Sequence, residues 1–186
     1  MIGFALCGSF CTVSRALSEL EMLCRGHEVQ GIVSEAVAST DTRFGRAADT
    51  LAKIEALTGR PVISSIVGAE PLGPKHPLDA LVIAPCTGNT LAKMANGITD
   101  STVTMAAKAH LRANRPLLIA LSTNDALSAN LSNIGRLLSK KSVYFLPMRQ
   151  DDPLGKPHSL VAEFSLLGEG LSLALAGRQM EPLFLP

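Results

Sequence analysis

Ala80–Asp100 reads ALVIAPCTGNTLAKMANGITD, and the fold turns on this stretch. Its opening, Ala80-Leu81-Val82-Ile83-Ala84, is an unbroken apolar run, the pattern of a strand buried on both faces of a parallel sheet. Pro85 has no N–H for the ladder, so the strand is expected to stop there. Cys86-Thr87-Gly88-Asn89-Thr90 is small and polar, and Leu91, Ala92, Met94 and Ala95 resume helical spacing. Open α/β sheets bind ligands where a polar loop joins the carboxyl end of a buried strand to a helix. The hydroxyls, amide and backbone N–H groups of this loop suit a phosphate or the edge of a polar heterocycle. Thr, Gly and Asn are also ordinary turn residues, so the loop alone fits a capped turn equally well.

Outward from this stretch the pattern repeats. Ile2–Leu6 is a short apolar strand, followed by Cys7-Gly8-Ser9-Phe10-Cys11-Thr12 and a helix over Val13–Arg25. Gly8 lets a backbone approach closely and Ser9 offers a hydroxyl, a phosphate-binding layout without the GxGxxG fingerprint of dinucleotide sites. Glu28–Ser34 reads as a second strand and Ala47–Thr58 as a helix capped by Gly59, with Glu35–Gly45 as a connection. Pro61–Ile63 is a minimal strand, and Ser64–Pro77, rich in Gly and Pro, is expected to be irregular. A helix over Ser101–Asn114, a strand over Pro116–Leu121 and a helix over Leu127–Lys140 follow. Ser142–Leu146 reads as the last strand, Pro147–Pro157 as a charged loop, and Val161–Leu175 as a terminal helix. Alternating strands and helices predict one α/β domain over residues 1–186, a doubly wound, mostly parallel, Rossmann-like sheet flanked by helices.

Composition narrows the function. With 47% hydrophobic and 18% charged residues and a net charge of +1, the chain suits a well-buried core and offers nothing to a polyanion. It has no Trp and one Tyr, a poor stacking surface for nucleic acid. No apolar run has the length of a membrane span, and the start lacks a signal-peptide layout, so the expected location is the cytoplasm. Its four cysteines form no CxxC pair and no zinc spacing, so reduced thiols and no metal are expected.

The central stretch resembles the signature of the flavin-dependent cysteine decarboxylase superfamily, a Pro-Ala-Ser/Thr-Ala-Asn-Thr loop followed by a helix and Asn-Gly-Ile-Ala-Asp. Pro85, Thr87, Asn89, Thr90, Lys93, Ala95, Asn96, Gly97, Ile98 and Asp100 match, while Cys86 and Gly88 depart by small changes. The superfamily also opens on a strand and Thr-Gly-Ser, matched at Gly8 and Ser9 with Cys7 in place of the threonine. The resemblance implies a flavoprotein fold and FMN, with Gly8, Ser9, Ser34, Pro85, Thr87, Gly88, Asn89 and Thr90 as its contacts. It implies a homo-oligomer, trimer or dodecamer, with flavin between neighbours. It also implies catalytic roles for His76, ahead of the Leu78-Asp79-Ala80 segment, and for Asn124, which would hold a substrate carboxylate.

Two departures argue against a cysteinyl substrate: Ser122-Thr123 replace the apolar pair before Asn124, and no cysteine follows Cys86 to arm a flap. Ser39–Gly45, Ser65–Lys75 and Ser122–Leu127 instead resemble one branch that works with a separate A subunit in endospore formers. That branch implies, in the mother cell, a two-electron oxidation giving the aromatic pyridine-2,6-dicarboxylate. Arg43, Lys75, Lys108 and Arg149 are candidate cations for the small dicarboxylate, and Ala126 lies beside Asn124 in the candidate substrate segment. Any NAD(P) site is expected on the partner. A decarboxylase and a non-catalytic binding component stay open as alternatives. Since Gly8-Ser9, Ser34, Thr87–Asn89 and Asn124 all fall at carboxyl ends of predicted strands, they should line one crevice.

Overall fold

The computed structural model describes residues 1–186 except Pro74 and His76. Five strands run parallel: β1 (Ile2–Leu6), β2 (Val29–Val33), β3 (Ala80–Cys86), β4 (Leu117–Thr123) and β5 (Val143–Phe145), in the order 2-1-3-4-5. This order reverses direction between β1 and β3, so the chain leaves the sheet on opposite sides there and opens a crevice at the carboxyl rim. Among the described residues the α-helices are α1 (Val13–Cys24), α2 (Glu35–Ser39), α3 (Ala47–Thr58), α4 (Ile66–Ala69), α5 (Gly88–Ala95), α6 (Thr102–Leu111), α7 (Leu131–Leu138) and α8 (Leu167–Leu175).

Period-two alternation sends each strand's side chains to two cores. Ile2, Phe4 and Leu6 of β1, with Ala80 and Val82 of β3, pack against Leu17 and Leu20 of α1 and Leu171 of α8. Ala5 of β1, with Leu81 and Ile83 of β3, packs against Leu91 of α5, Val103 of α6 and Ile134 of α7. All five residues of β1 and all seven of β3 are buried, which is why these strands read as continuous apolar runs.

Several sequence expectations are corrected. Pro85 does not end β3, which continues through Cys86; the register with β4 shifts between Ile83 and Cys86, and proline is tolerated at such an irregularity. Ser64–Pro77 is not wholly irregular. Ser65 Oγ accepts from Gly68 N–H and starts α4, and Glu70–Leu72 forms a 3-10 turn, with Ala69 and Leu72 buried in the core. Pro61–Ile63 contributes only a single bridge from Ile63 to Ile32. The helix expected from Leu127 begins at Leu131, after turns over residues 124–130.

The carboxyl-terminal part differs most. The sequence predicts a helix from Val161; instead residues 160–162 form β7 (Leu160–Ala162), antiparallel to the tip of β4 and paired with β6 (Met148–Arg149). β5 covers the first half of the outer edge of β4 and β7 the second half. Leu160 and Ala162 turn inward to the core, and the loop between β6 and β7 is carried to the crevice.

Candidate functional site

A cleft of about 610 Å³ opens at the carboxyl rim. Gly8–Cys11 after β1, Thr87–Asn89 after β3 and Ser122–Asp125 at the end of β4 form its base. Asp151, Lys156, Ser159 and Val161 of the β6–β7 segment form one wall, and Arg43 and Phe44 form another. This volume lies in the range of small-molecule and cofactor sites.

Each wall has a local cause. Thr87 caps α5, its Oγ1 accepting from Thr90 N–H at 3.2 Å, so Gly88 and Asn89 occupy the first helical turn facing the cleft. Residues 10–24 run helically after Ser9, through a 3-10 turn into α1. Ser9 Oγ lies 2.9 Å from Ser122 Oγ, tying the end of β1 to that of β4, and Thr12 Oγ1 donates to Ser9 O at 2.9 Å with both hydroxyls 3.3 Å away. Arg43 and Phe44 stand at the tip of a tight turn closed by reciprocal bonds between Thr42 and Gly45, with the guanidinium 4.9 Å from the Phe44 ring centre. In the β6–β7 loop, Lys156 pairs with Asp151 at 3.1 Å. The hydrogen bond from Lys156 to Asp151 raises the ammonium's pKa. Burial opposes ionisation of Asp151, but bonds from Ser159 and Lys156 outweigh it and hold the carboxyl below its usual range.

Asp125 is held differently. Thr123 Oγ1 donates to Oδ1 at 2.6 Å and Asn130 Nδ2 donates to Oδ2 at 2.9 Å. Buried Asn130 is in turn bonded by Asn133 Nδ2 at 2.9 Å. Asn133 receives Asn96 Nδ2 at 3.5 Å, and Arg136 donates to Asn96 at 2.7 Å. A polar chain thus runs from the cleft to the far end of α5. The second half of the signature is structural: Gly97, with φ +73°, follows the Asn96 cap, and Ile98 N–H bonds Lys93 O while Gly97 N–H reaches toward Met94 O. Lys93 Nζ closes this turn on Asp100 at 2.8 Å.

The structure brings Gly8, Ser9, Arg43, Thr87, Gly88, Asn89 and Asn124 together at the cleft. Of the other expected residues that are described, none lines this cleft. Ser34 is spent capping α2, accepting from Val37 N–H. Pro85 and Thr90 are buried, Thr90 Oγ1 lying 3.3 Å from Cys7 Sγ. Ala126 is fully buried in the core. Lys75 is exposed on the segment leading to the amino end of β3, at the opposite rim. Lys108 is exposed on α6, and Arg149 pairs with Glu163 at 3.2 Å. His76 lies outside the described residues. Sequence reasoning missed Cys11, Phe44, Asp125, Asp151 and Lys156 as cleft residues; the only local signal was the position of Asp125 directly after Asn124 at a strand end.

Beneath the cleft, Cys7 and Cys86 are fully buried thiols. Burial pushes Cys7 up to about 11 and, with Cys7 beside it, raises Cys86 as well, so neither is a ready nucleophile.

The sheet order and the cleft at its switch point define a flavoprotein-type domain, and the chain belongs to the flavoprotein family, whose model matches residues 1–162. Within that class it is 51% identical over 183 residues to the B subunit of dipicolinate synthase of Bacillus subtilis (strain 168), covering 98% of this chain and 92% of that protein. The crystal structure of the dipicolinate synthase B subunit from Bacillus halodurans C superposes with a TM-score of 0.91 at 46% identity, covering 100% of this chain and 95% of that one. A dodecameric FMN-dependent UbiX-like decarboxylase from Escherichia coli O157:H7 shares the fold, with a TM-score of 0.60 at 20% identity over 79% of this chain and 80% of that one.

Proposed function

We propose that the chain is the B subunit of a two-component dipicolinate synthase. With a separate A subunit it converts dihydrodipicolinate, or its hydroxytetrahydro precursor, to dipicolinate by a two-electron oxidation during sporulation. One observation carries the reading: Gly8–Ser9, Thr87–Asn89, Asn124 and Arg43 meet in one cleft, in a chain similar to the B subunit of dipicolinate synthase over nearly its whole length.

FMN fits the residues present. The start of the helical run 10–24 suits a phosphate, and the hydroxyl and N–H groups of Thr87–Asn89 suit a polar ring edge. At Gly88 a side chain would collide with Asn130, Thr123 and Asp125, so backbone lines the cleft at this point. When bound, FMN supplies the two-electron redox chemistry, and the chain supplies binding and orientation. Asn124 donates its amide to one substrate carboxylate. Arg43, which has no carboxylate partner among the described residues, takes the other through its paired N–H groups. The 150–159 segment and the Arg43–Phe44 turn limit water access from two sides.

A homo-oligomer, trimer or dodecamer, follows from the superfamily resemblance, and work in the mother cell of an endospore former follows from the similarity to the dipicolinate synthase B subunit. No helix among the described residues is long and apolar enough to cross a membrane.

The test mixes the purified chain with the separate A subunit, with and without FMN, and follows dipicolinate absorbance. Product formation that needs this chain and flavin supports the reading. A requirement for the chain with indifference to flavin makes it a binding component, and a colourless protein that stays so with added FMN removes the flavin.

A further inference from the structure

Two carboxylates line the cleft, and they differ in kind. Asp151 has a cation, Lys156; Asp125 has no cationic partner among the described residues. Both partners of Asp125 are neutral and both donate, the arrangement an ionised carboxylate takes. The side chain is held in place, because Asn130 is buried and itself held by Asn133. Each oxygen keeps a lone pair for a ligand. Arg43 supplies positive charge to the same cleft, so the cleft is bipolar. A purely anionic ligand meets Asp125 with repulsion. A ligand that is cationic at one atom and anionic at others satisfies both poles.

We propose that Asp125 selects the protonation state of the ligand: the cleft takes a ring whose nitrogen carries a proton between two carboxylates. The N–H donates to Asp125, while Arg43 and Asn124 hold the carboxylates. This rests on the dicarboxylate reading above and adds a direction of discrimination to it. A reduced ring nitrogen, imine or amine, is more basic than the aromatic pyridine nitrogen, and a carboxylate beside it favours its protonated form. In aromatic pyridine-2,6-dicarboxylate at neutral pH the nitrogen presents a lone pair, which a fixed carboxylate repels. Asp125 therefore favours the ring before oxidation and disfavours it afterwards, which speeds product departure.

The test is a calorimetric titration of the full chain at pH 7.5 with two redox-inert probes. Piperidine-2,6-dicarboxylate carries a protonated nitrogen, and pyridine-2,6-dicarboxylate does not. The wild-type chain is expected to bind the piperidine at least about tenfold tighter, a difference of about 1.4 kcal/mol. In Asp125→Asn, whose amide can donate to the pyridine lone pair, the ratio should shrink to about twofold or invert, a change of about 1 kcal/mol or more. Asp125→Ser, too small to press on Gly88, gives the same comparison should the amide variant fail to fold. Equal affinities, or a preference for pyridine, in the wild type overturn the inference and leave the dicarboxylate reading intact. The same holds if either variant keeps the full preference. Failure of both probes to bind removes the dicarboxylate reading and the inference with it.

Discussion

Replacing Gly88 with alanine tests whether the floor of the cleft is rigid. The added Cβ would lie 2.6 Å from Asn130 Nδ2, 2.6 Å from Thr123 Oγ1 and 2.7 Å from Asp125 Oδ1, where a real contact needs at least 3.0 Å. These three atoms do not move independently, since Asp125 is bonded to both of the others. Making room means stretching or opening one hydrogen bond to a charged group, which costs about 1.5–3 kcal/mol. Overpacking adds about 1 kcal/mol or more. Against this stands the preference of a helix for Ala over Gly, at most about 1 kcal/mol. The net expectation is a loss of about 2 kcal/mol, a fall of about 4–8 °C in Tm for a domain of this size. Thermal unfolding followed by circular dichroism measures it. Adding Asn130→Ala should recover part of the loss, with a coupling of about 1 kcal/mol between the two sites. A Tm within about 2 °C of wild type would refute the clamp, and with it the fixed orientation assigned to Asp125.

His110 is buried on α6 with Nε2 2.9 Å from Pro116 O and Nδ1 without a partner among the described residues; burial, more than any neighbour, lowers its pKa. The unfolded chain takes up this proton near pH 6.5 and the folded chain resists, so stability should fall by up to about 1.4 kcal/mol per pH unit below that point. Denaturant titrations at pH 7.5 and 5.5 should show the loss, and His110→Gln should reduce it. Thiol labelling of the native chain should modify exposed Cys11 first and half-buried Cys24 more slowly. Cys7 and Cys86 should react only after denaturation, and prompt native labelling of either contradicts their burial. Arg43→Gln should weaken pyridine-2,6-dicarboxylate binding about tenfold without changing Tm, because Arg43 is exposed at a turn tip; unchanged affinity would take Arg43 out of ligand binding.

Much of this was legible from local pattern. Ala47–Thr58 and Ile2–Leu6 are bounded as read, because helical spacing closed by Gly59 and an apolar run before Gly8 are complete within themselves. The capping hydroxyls of Thr87 and Ser101 lie within three residues of their targets, and so they too could be anticipated. Leu160–Ala162 could not. Its three residues suit a helix or a strand equally, and the free outer edge at the tip of β4 decides for a strand. Ala126 and Lys75 lie away from the cleft for a similar reason: closeness in sequence to Asn124 or to a strand does not say which rim or which face a side chain reaches.

What the amino-acid order determined by itself is the set of buried strands, the helices that flank them and the polar turns at their carboxyl ends. Apolar periodicity and capping act over a few residues and need no distant partner. Only the tertiary structure decided that Asp125 would be clamped through Asn130 and Asn133 toward Asn96, that Arg43 would face the same cleft, and that residues 151–161 would wall it. The link from Asn133 to Asn96, the approach of Arg43 and the 151–161 wall join positions tens of residues apart, and they exist only once the sheet order has brought the ends of β1, β3 and β4 side by side.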